Sequence, residues 1–176
     1  MSKKCIAVFL FIIIFVVSSQ IFAQTLKLPY QDVGACPFEC CTYRDWFARK
    51  PIVIFKTMNA DSPIAFKLKK GEKVRGITGV VITSVAGKVK VLRNQTFENS
   101  KVKVTKGDKL LILTYLGEGY YRFWYKGKLF EEDANADGIK VLSQPKSVWW
   151  VKIKNRKGQI GWAISDGNFD NQDQCG

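Results

Sequence analysis

The chain has 176 residues, carries a formal net charge of +13 and contains no histidine. Histidine is the usual general base of catalytic triads and the commonest protein ligand of metal ions, so the composition excludes most triads and many metal sites. The length is sufficient for one large domain or two small ones.

The N-terminus has the layout of a secretory signal peptide. Lys3 and Lys4 give a positive start, an unbroken run of 13 apolar residues follows at 5–17, and Ala23 offers a small residue for cleavage. A membrane-spanning helix needs about 20 apolar residues, so the run is too short to span, although an uncleaved anchor is the alternative. We expect loss of residues 1–23, which leaves a secreted or periplasmic protein of formal charge +11 without a stable membrane span.

Export determines how the cysteines are interpreted. Removal of the signal leaves an even number in an oxidising compartment, which indicates disulfides between a Cys-rich N-terminal segment at 24–46 and the C-terminus. The four residues are Cys36, Cys40, Cys41 and Cys175. We favour Cys36–Cys41 with Cys40–Cys175, because the larger short loop is easier to close. The alternatives are Cys36–Cys40 with Cys41–Cys175, and a zinc site formed by the same four thiols.

Most of the remaining pattern predicts β-strands. Short runs of β-branched and aromatic residues are separated by Gly-centred turns, at the spacing of a small barrel or sandwich. The predicted strands lie at 51–56, 64–68, 73–75, 80–83, 88–92, 109–116 and 120–125. The sequence therefore predicts an all-β fold.

An internal repeat accompanies these strands. Residues 68–74 and 104–110 each contain an apolar residue, then Lys-Gly, an acidic residue, Lys and a second apolar residue. Two copies of the turn indicate two structural units.

The segment 149–163 predicts a hairpin, because two alternating strands flank a turn at 155–158. It resembles the signature near the end of bacterial SH3-like (SH3b) domains, in which a Trp-x-Lys-Val strand returns as Gly-x-x-Gly-Trp. The residues that carry the resemblance are Trp150, Lys152, Ile153, Gly158, Gly161 and Trp162.

The resemblance implies one or two small SH3-like β-barrels in tandem, preceded by the disulfide-tied segment. The first barrel would cover 47–97 and the second 98–170, and a tail at 171–176 would carry Cys175. The second barrel would contain both the turn at 104–110 and the closing Gly161-Trp162. Related domains imply a cell-wall peptide or peptidoglycan as the ligand, which is an argument by analogy.

The aromatic side chains provide the candidate binding site. Strand alternation separates the residues of 120–125 and 149–154 into two faces, and a small barrel has room inside for only one. The face on which aromatic residues alternate with cations is expected on the outside of the barrel. There its rings would stack on a peptide or sugar and its cations would bind carboxylates. It comprises Tyr120, Arg122, Trp124, Trp150 and Lys152. The alternative is that the tryptophans fill a contact between the barrels or lie under the Cys-rich segment.

The basic residues are spread along the strands and alternate with apolar neighbours, as at 88–91 and 101–104. This pattern is typical of the solvated face of half-buried strands. The functional alternative is attraction to an anionic surface such as cell-wall polymer or lipid headgroups. Nucleic acid is not expected as a partner of an exported protein.

One segment resembles the opening of a calcium loop. Asp133, Asn135 and Asp137 alternate before Gly138, but the twelfth position, where calcium loops carry a bidentate Glu, is Gln144. We interpret the segment as a polar turn between two strands, with calcium as the alternative. No other metal and no cofactor is expected.

The carboxylates are few, and adjacent acids such as those at 131–133 are typical of a solvated rim. The sequence therefore predicts a non-catalytic exported binding module of the bacterial cell envelope that binds cell-wall peptide, peptidoglycan or an envelope protein. The alternatives are a periplasmic protein-interaction or inhibitor protein and an uncharacterised hydrolase. A pull-down on purified peptidoglycan, beside one on cell extract, discriminates between the first two.

Overall fold

The structure is a computed structural model that describes residues 25–175. The predicted signal peptide at 1–23, with Cys5, lies outside the described residues. Fifteen strands make up the regular structure of the described range. This range contains no helix that is long and apolar enough to cross a membrane. The strands are β1 (Tyr30–Val33), β2 (Asp45–Ala48), β3 (Ile52–Phe55), β4 (Ile64–Leu68), β5 (Lys73–Val85), β6 (Gly87–Val91), β7 (Gln95–Thr96), β8 (Lys103–Val104), β9 (Lys109–Gly117), β10 (Tyr120–Tyr125), β11 (Lys128–Asp133), β12 (Ile139–Ser143), β13 (Lys146–Asn155), β14 (Ile160–Ile164) and β15 (Phe169–Asp170). The all-β prediction is confirmed.

The first sheet is a curled half-barrel with the strand order β15-β2-β5-β13-β14-β3-β4, and β1 pairs with a further part of β5. Strand alternation directs one set of side chains inward: Ile52 and Ile54 are buried, whereas Val53 between them is exposed. The buried residues of this core are Trp46, Ala48, Ile52, Ile54, Phe66, Leu68, Val74, Val151, Ile153, Ala163 and Phe169.

The second sheet has the order β11-β10-β9-β6-β12, with the two-stranded β7-β8 ribbon beside it. The turns at 118–119 and 126–127 join β9, β10 and β11 into a meander. All five strands face a separate core. Its buried residues are Val89, Val91, Phe97, Val104, Leu110, Ile112, Phe123, Tyr125 and Phe130.

The two sheets repeat one topology. In the first, β5 pairs with β2 and β13, β13 with β14, β15 with β2, and β3 with β4. In the second, β9 pairs with β6 and β10, β10 with β11, β12 with β6, and β7 with β8. Each pairing of the second sheet thus has a counterpart in the first. We call residues 45–85 with 146–170 the outer unit and residues 87–143 the inner unit.

The repeated sequence turn occupies the same place in each unit. In the outer unit the Gly71 N–H donates to the Ala48 carbonyl over 2.7 Å, and the Ala48 N–H donates to the Glu72 carbonyl over 3.0 Å. In the inner unit Gly107, Val91 and Asp108 make the same two bonds, each of 2.9 Å. Both glycines have positive φ, +80° and +95°, which favours glycine at this turn. The internal repeat predicted from the sequence is therefore also a repeat in the structure.

The units are nested, which corrects the predicted tandem boundaries at 47–97 and 98–170. Strand β5 pairs with β13 along nearly its whole length, from Lys146↔Val85 to Asn155↔Val74, although the entire inner unit separates them in sequence. The closing Gly161-Trp162 consequently belongs with the turn at 68–74, in the outer unit. The ends of the inner unit lie side by side: a Cβ on Gly87 would stand 2.6 Å from the Ser143 carbonyl oxygen.

Among the described residues, one hydrogen bond joins the two units, and an ion pair joins the inner unit to β1 of the Cys-rich segment, which pairs with β5. The buried Thr83 hydroxyl on β5 donates to the Leu113 carbonyl on β9 over 3.0 Å. The Arg122 guanidinium on β10 binds the buried Asp32 carboxylate on β1 over 2.6 Å and the exposed Glu131 carboxylate over 2.7 Å.

Both disulfides form in the favoured pairing. Cys36–Cys41 closes a short loop and Cys40–Cys175 fixes the C-terminal tail to it, with Cα–Cα distances of 5.5 and 5.6 Å. The bridge Cys41↔Asp173 adds a backbone contact at the same point. The Cys-rich prediction is confirmed, and such bonds are typical of an oxidising, extracytoplasmic environment.

Candidate functional site

The five predicted ligand-binding residues do not form one surface. Tyr120, Arg122 and Trp124 lie on β10 of the inner unit, whereas Trp150 and Lys152 lie on β13 of the outer unit. The prediction assumed that both strands belong to one barrel, and the nested topology separates them.

Two of these residues are also occupied by internal contacts, which corrects their predicted exposure. Trp150 is 6% exposed and stands edge-on to Phe55, with ring centroids 6.3 Å apart. Arg122 is held between Asp32 and Glu131, and it is therefore part of the contact between the inner unit and the Cys-rich segment rather than a free cation. Tyr120 remains exposed and Trp124 is half-buried.

Lys152 belongs to a row of side chains on the outer face of the first sheet. Register places it opposite Trp162, Trp162 opposite Phe55, and Phe55 opposite Ile64. The Lys152 Nζ lies 5.7 Å from the Trp162 ring centroid, within the range of a cation–π contact. Trp162 is half-buried on this face.

The candidate calcium loop is the polar turn between β11 and β12. The Asp133 carboxylate accepts the backbone N–H of Asn135 over 2.8 Å, which closes a local turn. Asp137 is 85% exposed and pairs with Arg93 over 2.7 Å. These contacts occupy two of the three candidate ligands, and they fit the interpretation as a turn.

The cysteine sulfurs do not form a zinc site in the described part of the chain. Glu39, Cys40 and Cys175 bring three potential ligand atoms close together. However, Cys40 and Cys175 are joined in a disulfide, and zinc binds thiolates rather than disulfide sulfurs.

A cleft of about 400 Å³ opens where the two units and the Cys-rich segment meet. We call it the aromatic cleft. Phe38 comes from the loop closed by Cys36–Cys41, Tyr115 from β9 of the inner unit, and Trp149 from β13 of the outer unit. Ser147, Ser165 and Gln172 contribute polar side chains to the cleft.

The walls of the aromatic cleft are held by packing. Phe38 stands edge-on to Trp149, with centroids 5.9 Å apart, and Tyr115 packs against Tyr121 at 5.0 Å. Trp149 also packs against Trp46 in the first core, 6.2 Å away. These contacts fix the ring planes before any ligand arrives.

Polar contacts support the same walls. The Gln172 amide donates to the Ser165 hydroxyl over 3.2 Å, so both polar groups are already oriented. Behind Trp149, the Tyr43 hydroxyl donates to the Ala35 carbonyl, and burial raises the pKa of Tyr43 to about 12. Tyr43 therefore stays protonated and acts as a hydrogen-bond donor at every physiological pH.

Sequence reasoning missed this cleft, although one signal was present. Alternation assigns Trp149 inward, which is right, but it does not show that the inward face is open at this end. Phe38 lies inside a loop closed by a disulfide, and an aromatic residue in so short a loop has little room to bury itself. That placement could have identified Phe38 as a surface aromatic residue.

No protein-family model matches the chain, and no similar protein was found among the curated proteins or the solved structures.

Proposed function

We propose that the protein is a non-catalytic, exported binding protein of the bacterial cell envelope that holds a cell-wall peptide or peptidoglycan strand in the aromatic cleft. In this proposal both units are SH3-like barrels related to SH3b domains, one inserted into the other. The observation that carries the proposal is the cleft itself, which has aromatic walls from Phe38, Tyr115 and Trp149 and a polar side at Ser165 and Gln172.

Fold-level support comes from the hairpin and from the duplication. Strands β13 and β14 form the hairpin that carries the SH3b-like signature, with Lys152 opposite Trp162. The repeated turns at 68–74 and 104–110 begin equivalent long strands, β5 and β9. Both features agree with two related small barrels, the outer of which contains the complete signature.

The chemistry of the cleft suits a glycan or a peptide. Its volume is within the range of small-ligand pockets, about 300–1,000 Å³. Aromatic faces take up the apolar face of a sugar ring or an alanine-like side chain, and hydroxyl and amide groups then fix its orientation. The chain has no histidine, and its four described cysteines are oxidised, which supports a binding role for the cleft in this proposal.

The proposal is tested by sedimentation with purified peptidoglycan, comparing Tyr115→Ser with Tyr120→Ser. These tyrosines are 38% and 37% exposed and both belong to the inner unit, but only Tyr115 lines the cleft. We expect Tyr115→Ser to weaken retention about 10- to 30-fold, the effect of losing a central aromatic contact, and Tyr120→Ser to leave it unchanged.

Equal retention of both variants would contradict the proposal, as would loss of retention in Tyr120→Ser alone. A parallel pull-down on cell extract addresses the protein-interaction alternative. If a single envelope protein is captured through Tyr115 while peptidoglycan is not, the cleft is a protein-docking site and the cell-wall ligand is wrong.

A further inference from the structure

A second surface, remote from the aromatic cleft, carries a concentrated positive charge. A groove of about 520 Å³ lies between the β4–β5 turn and the β13–β14 turn of the outer unit. None of the residues that line it lines the aromatic cleft. Its cations are Lys67, Lys69, Lys70, Lys73, Arg156 and Lys157.

The charge of this groove is largely uncompensated. Glu72 is the only acidic residue of the lining, and its carboxylate accepts the backbone N–H of Lys69 over 2.7 Å. Lys73 pairs with Asp45 over 2.7 Å. Within residues 25–175 the other five cations form no ion pair with a carboxylate, and their side chains are exposed. The cations therefore repel one another without an internal partner.

The groove continues into a second recess. That recess shares Lys73, Asn155 and Arg156 with the groove and adds Arg75 and Lys154, together with Asp45, which pairs with Lys73 and lies 3.7 Å from Arg75. The positive charge thus extends along a path rather than around a single point. A single small anion could neutralise only part of it, whereas a chain of regularly spaced anions could follow it.

The equivalent place in the inner unit also carries lysines, at 103, 106, 109, 126 and 128, but its turn is occupied by side-chain contacts. At the equivalent turn, Asp108 accepts the Tyr125 hydroxyl over 2.5 Å and lies 3.7 Å from Lys126. In the inner unit this turn is therefore closed by the Tyr125 side chain and by Asp108, which is paired with Lys126. In the outer unit, β13 ends at Asn155 instead of a tyrosine, and the same place is open and basic.

We propose that the groove binds a linear polyanion with closely spaced phosphate groups, of the phosphodiester or polyphosphate class. Lysine ammonium groups on both rims would contact successive phosphates, and the release of condensed counterions would drive association. This site goes beyond the proposed cell-wall ligand of the aromatic cleft and does not depend on it.

The shape and lining of the groove favour a soluble chain over the other polyanions. A bilayer surface is flat and is usually gripped by exposed apolar tips, whereas the groove is concave and its only apolar lining residue, Leu68, is 4% exposed. Single-stranded nucleic acids are usually held by aromatic stacking, and the lining contains no aromatic residue.

The test uses the complete mature protein and inorganic polyphosphate of defined chain length. Titration calorimetry measures the affinity at several salt concentrations. The variant Lys70→Glu/Lys157→Glu reverses one charge on each rim. The control Lys106→Glu/Lys128→Glu reverses the same number of charges on the inner unit. Lys106 occupies the position in the inner turn that Lys70 occupies in the outer one, so net charge and local structure are matched.

We expect the groove variant to weaken polyphosphate binding at least about tenfold and to reduce the slope of log K against log salt by roughly 1 to 2, and the control to change affinity less than about twofold. Equal weakening in both variants would show that only net charge matters and would overturn the proposal. Absence of polyphosphate binding by the unmodified protein would do the same.

Two further arms distinguish the competing polyanions. Vesicles with anionic phospholipids and a single-stranded oligonucleotide replace polyphosphate at the same phosphate concentration, and tighter binding of either would overturn the choice of ligand. If melting shows that the Glu variant is not folded, Lys70→Gln/Lys157→Gln replaces it. Retention of full affinity by that variant would also overturn the proposal.

Discussion

Glu72 and Asp108 make the same hydrogen bond in the two units: each carboxylate accepts the backbone N–H three residues before it, over 2.7 Å from Lys69 and 2.8 Å from Thr105. The surroundings of the two acids then differ. Asp108 also accepts the Tyr125 hydroxyl, and this bond, with those from Thr105 and the nearby Lys126, lowers the pKa of Asp108 to about 2. The same type of turn thus belongs to a closed polar network in the inner unit and borders an open basic groove in the outer unit.

Tyr125→Phe should make stability less dependent on pH at the acidic end. The pKa of Asp108 is lower in the folded chain than its ordinary 3.8, so its ionised form stabilises the fold, fully above about pH 4 and progressively less toward pH 2. The side chain is 18% exposed, and we expect a contribution of about 1–2 kcal/mol at neutral pH. Urea unfolding at pH 2 to 6 measures the difference between variant and wild type, which should shrink as the pH falls.

Tyr120→Phe is the control for this measurement, because the Tyr120 side chain is exposed and makes no hydrogen bond within residues 25–175. A Tyr125→Phe curve parallel to that of the wild type throughout the acidic range would show that the hydroxyl does not set the ionisation of Asp108.

Tryptophan truncation should separate the buried from the half-buried positions. Trp46 is completely buried, and its indole N–H donates to the Thr42 carbonyl over 3.0 Å, so Trp46→Ala should destabilise the fold by about 3–5 kcal/mol. Trp162 lies on the outer face of the first sheet, and Trp162→Ala should cost about 1–2 kcal/mol. Chemical denaturation measures the free energy of unfolding of both variants. A larger loss for Trp162→Ala than for Trp46→Ala would contradict the position of Trp162 on the outer face.

Arg122→Met should destabilise the contact between the inner unit and the Cys-rich segment. It leaves the Asp32 carboxylate, 5% exposed, without its cation, and breaking a buried pair in this way typically costs about 3–5 kcal/mol. Glu131→Gln removes only an exposed partner and should cost less than about 1 kcal/mol. Adding Asp32→Asn to Arg122→Met should recover part of the loss. If the double variant is as unstable as Arg122→Met, the uncompensated charge is not the cause.

The two disulfides should contribute unequally to stability. In the chain-entropy model, the bond Cys40–Cys175, with 135 residues of separation, is worth about 5 kcal/mol, and Cys36–Cys41, with a separation of 5, about 2 kcal/mol. Paired Cys→Ser variants of each bond, compared by denaturation, give the two values. Mass spectrometry of the non-reduced protein should detect no free thiol, and two alkylatable cysteines would overturn the pairing.

Local patterns were sufficient to predict the strands and several turns. Alternation and the turn at 155–158 define the β13–β14 hairpin, whose partners are adjacent in sequence. The alternation of side chains also assigns the buried face of β13 correctly, since Val151 and Ile153 are completely buried. The pairing of Cys36 with Cys41 was predicted correctly, because the larger of the two possible short loops is the easier one to close.

Long-range pairing could not be predicted in the same way. The alternation of β5 is compatible with many partners, and nothing local indicates that Val85 pairs with Lys146 across the whole inner unit. The error in the candidate site has the same origin. Placing 120–125 and 149–154 in one barrel put Tyr120 and Trp150 on a common face, whereas they belong to different sheets.

The insertion of one unit into the other also bears on the order in which the chain assembles. Strands β5 and β13 contact each other only after a long intervening segment has been brought back on itself, and closing such a loop costs conformational entropy. Once the inner unit has folded, Gly87 and Ser143 are neighbours, so the segment no longer behaves as a long flexible loop. Assembly from the inside outward is then the entropically favoured route, and a destabilised inner unit would slow the formation of a sheet to which it contributes no strand.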